Sequence, residues 1–316
     1  MNMDKLNHSS TSSSLSASRN NESTCADVLP RDLKSPFASG GFRWVAKGKY
    51  DAGNRKGHPC VVKWFKDKTK QNLYEDTFYS HDIQAVDKAI QIIEYWNRSE
   101  FVNKPVQMNR CEVWAWSDDN AGFHKKGTKV LVEPFIENFK KFNSNVGWTS
   151  NEVSWMKVMQ ALSHFSYHMT DEKYLLCDLQ GGIYKDGVVL TDPVIHSTTK
   201  SYGNTDLGVN GMLTFMHRHK CNKYCKPEWK KPRRTAVYYK LKKGTTMESP
   251  CTMSVTRDRS LMENLCTICS IAKKNATFLC GHQLCYDCGT KIQNESANSV
   301  CHICRAPVKA LIRLYN

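Results

Sequence analysis

Apolar positions along this chain follow two rhythms, and each rhythm predicts a different kind of element. Gly40-Gly41-Phe42-Arg43-Trp44-Val45-Ala46 reads as a turn entering a strand, and Cys60-Val61-Val62-Lys63-Trp64-Phe65 reads as a second strand. Lys129-Val130-Leu131-Val132-Glu133-Pro134-Phe135 is a strand stopped by proline, whose missing N–H cannot serve a ladder. Asp82 to Asn97 instead places Ile83, Val86, Ile90 and Ile93 at amphipathic helical spacing. Asn151 to His168, with Val153, Met156, Met159, Ala161 and Leu162, predicts a second helix. Tyr174-Leu175-Leu176-Cys177-Asp178 and Val188-Val189-Leu190-Thr191-Asp192 read as strands paired around the turn at Lys185-Asp186-Gly187. Strands first and mixed elements afterwards predict an α+β fold rather than a repeating βαβ sheet.

Composition divides the chain. Its 316 residues are long enough for two domains. Residues 1–28 are rich in Ser and Asn and are expected to be disordered, because they carry too little apolar surface to offset ordering entropy. Residues 29–229 read as the globular body, 230–262 as a basic linker, and 263–316 as a cysteine-rich module. No internal repeat is visible. No run approaches the ~18 apolar residues of a membrane helix, and the first residues lack the apolar core of a secretory signal. An intracellular protein, cytoplasmic and/or nuclear, with no membrane partner, is the expectation.

The net charge of +15 invites a nucleic-acid reading. The densest basic run, Lys230-Lys231-Pro232-Arg233-Arg234, has no interleaved aromatics and serves equally as a solvated linker or a nuclear localisation signal. Nucleic acid is therefore the least favoured partner. The 14 cysteines of a chain expected in a reducing compartment point to metal rather than disulfides. Seven of them follow residue 265, as Cys266-x2-Cys269, Cys280-x-His282, Cys285-x2-Cys288 and Cys301-x2-Cys304. Thiolates with two residues between them turn both sulfurs onto one tetrahedral zinc, and eight ligands make two closed, structural sites. So short a segment needs the metal to fold.

The order of three Cys, one His and four Cys resembles the RING finger family. The resemblance implies an interleaved, cross-braced pairing, in which Cys266, Cys269, Cys285 and Cys288 hold one Zn²⁺ and Cys280, His282, Cys301 and Cys304 hold the other. It also implies a ubiquitin-conjugating enzyme and ubiquitin as partners. Ile268, Pro307 and Arg305 match positions of the family's docking surface, whereas His302 is surplus to the eight ligands and reads as a surface residue. Use for dimerisation or partner binding alone is the alternative to ligase activity.

Four features of the body carry chemistry. Lys63 lies on an apolar strand, where a lysine is either edge-exposed or aimed at phosphates. Asp178 and Gln180 are two apart and would face the same side of a strand, a hard oxygen pair suited to Mg²⁺. Asp192 opens an Asp-Pro turn and could act on a hydroxyl proton. The stretch Gly203 to Gly211 is a glycine-rich loop, fit for phosphate or simply for turning. Finally, His219-x-Cys221-x3-Cys225 needs one more ligand for a tetrahedral zinc, and His164 is the candidate.

From about Phe37 to Cys225, these residues together with Phe142-Asn143-Ser144-Asn145 and Leu162-Ser163-His164-Phe165 resemble the alpha-kinase family. These are atypical, two-lobed serine/threonine protein kinases of the myosin heavy chain kinase and elongation-factor-2 kinase type. The resemblance implies that Lys63 and Arg43 contact ATP phosphates and that Glu133 takes the adenine-reading hinge position, largely through neighbouring backbone. Asp178 and Gln180 would hold Mg²⁺, and Asp192 would orient or deprotonate the substrate hydroxyl. Gly203, Gly208 and Gly211 match a glycine loop beside the cleft, and His164, His219, Cys221 and Cys225 match the structural zinc site. Two departures stand out: the longer stretch between Gly181 and Asp192, and His168 where glutamate is common. The function expected is an ATP-dependent protein kinase acting on protein substrates, fused to a RING-type ubiquitin ligase. An inactive kinase-fold scaffold that recruits substrates to the ligase is the alternative.

Overall fold

The computed structural model describes residues 4–8, 23, 25–41, 43–66, 68–119, 124–150, 152–241, 248–250, 266, 268, 272–295, 299–301, 303–304 and 306–314. The first lobe contains β1 (Asp4–His8), β2 (Cys25–Val28), α1 (Pro30–Lys34), β3 (Ala38–Ser39), β4 (Arg43–Tyr50) and β5 (Pro59–Phe65). The helix α2 (Lys68–Arg98) leads to β6 (Val106–Met108), β7 (Glu112–Trp116), β8 (Lys129–Pro134) and β9 (Lys140–Lys141). Then come α3 (Ser154–Met169), β10 (Tyr174–Cys177), β11 (Gln180–Tyr184), β12 (Gly187–Thr191), β13 (Val194–Ser197) and α4 (Gly208–Arg218). The last elements are β14 (Tyr239–Leu241), β15 (Glu248–Pro250), β16 (Ala276–Phe278), β17 (Gln283–Leu284), α5 (Tyr286–Glu295) and β18 (Leu311–Arg313).

Seven strands form one antiparallel sheet in the order β2-β1-β7-β8-β5-β4-β3, and β2 also pairs with β4. The sheet thus curls into a ring. Every second residue faces the interior, which is filled by Ala26, Val28, Ala46, Tyr50, Cys60, Val62, Trp114, Trp116, Val130 and Val132. Gly48 lies where β4 meets both neighbours, and a Cβ there would stand 2.9 Å from both the Asp27 carbonyl oxygen and Cys60 Sγ. The opposite face of β4, β5 and β8 presents Arg43, Lys63 and Glu133 to the cleft.

The expectation of disorder over residues 1–28 is corrected at Asp4–His8 and Cys25–Val28, which are strands. β1 has a hydrogen-bonded partner on each side, and Ala26 and Val28 are buried in the ring. Backbone pairing and alternation therefore outweigh the polar composition. Residues 9–22 lie outside the described residues.

The second lobe packs α2 and α3 against a four-stranded sheet of order β6-β12-β11-β9. Ile92, Ile93 and Trp96 of α2 meet Met156, Met159, Leu162 and Phe165 of α3 over Leu176 and Leu190. The helix α2 begins well before Asp82, at Lys68; the few apolar residues between Lys68 and Ser80 form no stripe in the sequence. The turn at Lys185-Asp186-Gly187 joins β11 to β12, while β10 pairs with β13. This corrects the expected pairing of Tyr174–Asp178 with Val188–Asp192. Asp178, at φ 56°, reverses the chain between β10 and β11 and separates the two hairpins.

The basic linker expected from residue 230 is also corrected near its start. Trp229 is 5% exposed within the second lobe's core, Tyr238 N donates to Thr214 Oγ1 at 2.9 Å, and Arg218 donates to the Tyr239 carbonyl at 2.7 Å. One aromatic anchor and these bonds hold the segment down. In the cysteine-rich module, α5 packs beside a sheet of order β17-β16-β18, over Cys266, Phe278, Leu284, Cys285 and Cys301. No helix among the described residues is long and apolar enough to cross a membrane.

Candidate functional site

Strand register builds the cleft. On β5 the alternate residues Val61, Lys63 and Phe65 share a face; Val61 lies opposite Glu133, and Arg43 lies opposite Phe65. Lys63 is buried and forms an ion pair with Glu133, and its Nζ lies 2.6 Å from Asp192 Oδ2. Glu133 Oε2 accepts a 2.5 Å bond from Thr191 Oγ1. Arg43 pairs with Asp82 of α2 at 2.5 Å and lies over the Phe65 ring. Lys141 of β9 reaches Asp178 at 2.8 Å. Three cations and four carboxylates thus neutralise one another where two sheets and a helix converge.

Each charge is tuned by its neighbours. Burial disfavours charge on Lys63, but Asp192 and Glu133 outweigh it and hold the ammonium above its ordinary value. The enclosing cleft works against ionisation of Asp192, although its side chain keeps a solvent-open edge, and Lys63, Arg43 and Lys141 together keep it below the usual carboxylate range. Glu133 and Asp82 are raised instead, because burial exceeds the pull of Lys63 on one and of Arg43 on the other.

Both candidate acids stand on left-handed backbone, Asp178 at φ 56° and Asp192 at φ 47°. Non-glycine residues there are uncommon and cluster at functional sites. The Phe142–Asn145 stretch explains how the first is held. Leu179 N donates to the buried Asn143 Oδ1 at 2.9 Å, and Phe142 N donates to the Leu179 carbonyl at 2.8 Å. Asp178 is therefore not on a strand, as its spacing from Gln180 implied. The turn still brings the pair together, with Gln180 Nε2 donating to Asp178 Oδ2 at 3.3 Å. A cation between them would need the other face of that amide, a rotation about one torsion.

The Glu133 carboxylate faces Lys63 and Thr191, so the side chain is a buried counter-ion, which is compatible with a hinge position that reads adenine through neighbouring backbone. One further expectation changes. In the glycine loop, Gly208 N donates to Asp206 Oδ1 at 2.9 Å and Gly211 N to the Leu207 carbonyl at 3.3 Å, leaving neither N–H for a phosphate. Gly203, at φ 77°, packs against His81, the neighbour of Asp82. Asp82, Lys141 and Thr191 escaped the sequence reading. Asp82 looked like the polar face of a helix, Lys141 sits immediately before the Phe142 motif, and Thr191 immediately before Asp192.

His164, His219, Cys221 and Cys225 converge from α3 and from the segment after α4. Cys221 Sγ lies 3.6 Å from His164 Nδ1 and 3.7 Å from His219 Nε2, and Cys225 Sγ lies 3.6 Å from His219 Nε2. Ligands bound at zinc's usual distances around one tetrahedral ion stand about 3.3–3.8 Å apart, so the set fits that metal. Burial lowers the His164 pKa and holds that of His219 at about 3, and a neutral imidazole is the form a metal needs.

In the C-terminal module, Cys280, His282, Cys301 and Cys304 form one cluster, with His282 Nδ1 at 3.6 Å from both Cys280 Sγ and Cys301 Sγ. Cys266, Cys285 and Cys288 form the other; the expected fourth ligand, Cys269, lies outside the described residues, as do His302 and Arg305. The described ligands divide as a cross-brace requires. Ile268 packs against the module's core, and Leu279 and Ile303 are exposed.

The sequence profile of the Alpha-kinase family matches residues 38–225. The chain belongs to the alpha-kinase family. A second profile, the C3HC4-type zinc finger (RING finger), matches residues 262–311. Myosin heavy chain kinase C of Dictyostelium discoideum is 39% identical over 194 residues, which cover 61% of this chain and 23% of that protein. The matched curated alpha-kinases are much longer proteins, and the matches span 13–26% of them. A solved alpha kinase from Entamoeba histolytica superposes with a TM-score of 0.56 at 20% identity, over 75% of this chain and 95% of that one. The alpha-kinase domain of myosin-II heavy chain kinase A in complex with AMP-PNP superposes at 0.54, with 20% identity, over 71% and 94%. At that identity the likeness speaks to the fold alone. The two family matches support a kinase domain joined to a zinc finger.

Proposed function

We propose that the chain is an ATP-dependent protein serine/threonine kinase of the alpha type joined to a RING-type ubiquitin ligase module. The observation that carries the kinase half is a buried Lys63 linking Glu133 to Asp192, with Asp178 close by on a second left-handed turn. ATP supplies the phosphoryl group, and Mg²⁺ the charge that neutralises it. Lys63 is a fixed cation at the floor of the cleft, and Arg43 a second at its side, both suited to phosphate oxygens. Asp178 and Gln180 would hold Mg²⁺ once the Gln180 amide turns its oxygen inward. Asp192, 42% exposed and held ionised, accepts the hydrogen bond of a seryl or threonyl hydroxyl and orients it. A loose phosphoryl-transfer transition state asks mainly for that positioning.

One Zn²⁺ in the kinase body and two in the RING complete the cofactor set. The RING engages a ubiquitin-conjugating enzyme and ubiquitin, with the exposed Leu279 and Ile303 as apolar contacts. Target and partner are therefore proteins, and the thiol-rich centres suit a reducing, intracellular setting, cytoplasmic and/or nuclear.

A second reading is an inactive kinase fold that recruits substrates to the ligase. Lys141 on Asp178 and the Gln180 amide nitrogen facing the same carboxylate favour it, since both stand where a cation would bind. A single assay separates the readings: purified full chain with Mg²⁺, labelled ATP, ubiquitin, activating enzyme and a panel of conjugating enzymes. Phosphate and ubiquitin transfer together support the first reading. Ubiquitin transfer without phosphate, unchanged in Lys63→Ala, supports the second, and neither product refutes both.

A further inference from the structure

The two histidines of the centre in the kinase body use different ring nitrogens, and each has its other nitrogen occupied. His164 turns Nδ1 to Cys221, while its Nε2 lies 3.0 Å from the Lys230 carbonyl. His219 turns Nε2 to both cysteines, while its Nδ1 lies 3.1 Å from Gln160 Oε1. A carbonyl oxygen only accepts, and so does an amide oxygen. The geometry therefore fixes His164 as the Nε2–H tautomer and His219 as the Nδ1–H tautomer. In each ring the remaining lone pair points at the sulfurs.

Both acceptors are themselves fixed. Gln160 is buried on α3, one helical turn before His164 and on the same face. The Lys230 carbonyl is placed by two neighbours. Lys230 N donates to His168 Nδ1 at 3.2 Å, and the Trp229 ring lies edge-on to His164 at 5.3 Å and stacked on His168. Trp229 also packs against Phe101 and Phe165, filling the space behind the ligands. His168, the departure from the family's common glutamate, thus accepts a backbone N–H of this turn through its ring nitrogen.

We infer that Gln160 and the Trp229–Lys230 turn are the outer coordination shell of the His164–His219–Cys221–Cys225 centre. They are positioning residues that set both imidazole tautomers and back the buried His164 side of the centre. The inference rests on reading that centre as a zinc site. Oriented acceptors of this kind raise ligand basicity, and their loss costs about ten- to a hundredfold in metal affinity.

The test measures zinc content of the purified full chain and its release to a chromogenic chelator. A Cys221→Ser variant identifies which equivalent belongs to this centre, with the RING equivalents as internal reference. Gln160→Met, close to isosteric, and Trp229→Ala should each release that equivalent about ten- to a hundredfold faster. Gln160→Glu, which keeps an acceptor, should hold it as long as the parent or longer, and Trp229→Phe should fall between. Parent-like release from Gln160→Met and Trp229→Ala, with the equivalent present, would overturn the outer shell and leave the zinc reading standing. Equal acceleration in Gln160→Met and Gln160→Glu would also overturn it, since lost packing then explains both. Absence of any Cys221-dependent zinc in the parent would overturn the zinc reading itself.

Discussion

The kinase cleft and the RING both concentrate charge that a folded protein normally avoids, and they manage it in opposite ways. In the cleft, carboxylates and cations neutralise one another on a frame of paired strands and a long helix. Their positions come from register and from an apolar ring behind them. In the RING, the described core is a handful of side chains, and cysteine ligands make up most of it. There a bound metal would hold the frame, whereas in the cleft the frame holds the charges. The His164 centre lies between these extremes, since its ligands come from a well-packed helix and a chain segment anchored by Trp229.

This contrast can be broken most sharply by metal removal. A strong chelator should abolish the folded RING outright, seen as loss of dispersed amide signals from residues 266–314, because so small a core cannot fold alone. Signals of the β-ring in the first lobe should persist. Simultaneous loss of both would show that the ring also depends on zinc.

Next in size is Lys63→Met, which leaves the buried Glu133 without its cation. Breaking a buried pair from one side should cost about 3–5 kcal/mol in denaturant unfolding. The double variant Lys63→Met/Glu133→Gln should recover much of that loss, and an unrecovered loss would place the cost in packing rather than charge. Asn143→Ala strips the Leu179 N–H of its acceptor and should cost about 1–3 kcal/mol, with weaker Mg²⁺ dependence of nucleotide binding as its signature. An effect of the same size is expected of Gly48→Ala, where the added methyl meets backbone and sulfur in the ring wall; about 1–3 kcal/mol of stability should go, with the RING untouched.

How much of this was legible in the sequence follows from the same contrast. Ligand spacing in the RING is a local property, so Cys280-x-His282 and Cys301-x2-Cys304 announce their chemistry within a few residues. The strands carrying Lys63 and Glu133 were legible from alternation, but the meeting of the two side chains depends on register between strands far apart in sequence. Glu133 was therefore given a hinge role by resemblance, and the buried ion pair went unseen. Asp178 was read as a strand residue because nothing in Cys177-Asp178-Leu179 marks a left-handed turn; the acceptor that fixes the turn, Asn143, is 36 residues from the Leu179 N–H it receives. Trp229 and Lys230 were assigned to the end of the body and the start of a linker, since lysine and proline dominate the composition there and only the fold reveals what one tryptophan anchors.

The central claim is that Lys63, Asp178 and Asp192 together make a phosphotransfer site. It is tested most directly by transfer of labelled phosphate from Mg²⁺-ATP to a basic protein substrate, comparing the parent with Asp192→Ala at matched zinc content. The parent should label serine or threonine, and the variant should lose about a hundred- to ten-thousandfold in rate while still binding nucleotide. A parent that binds Mg²⁺-ATP yet transfers nothing, or an Asp192→Ala variant as fast as the parent, would contradict the account.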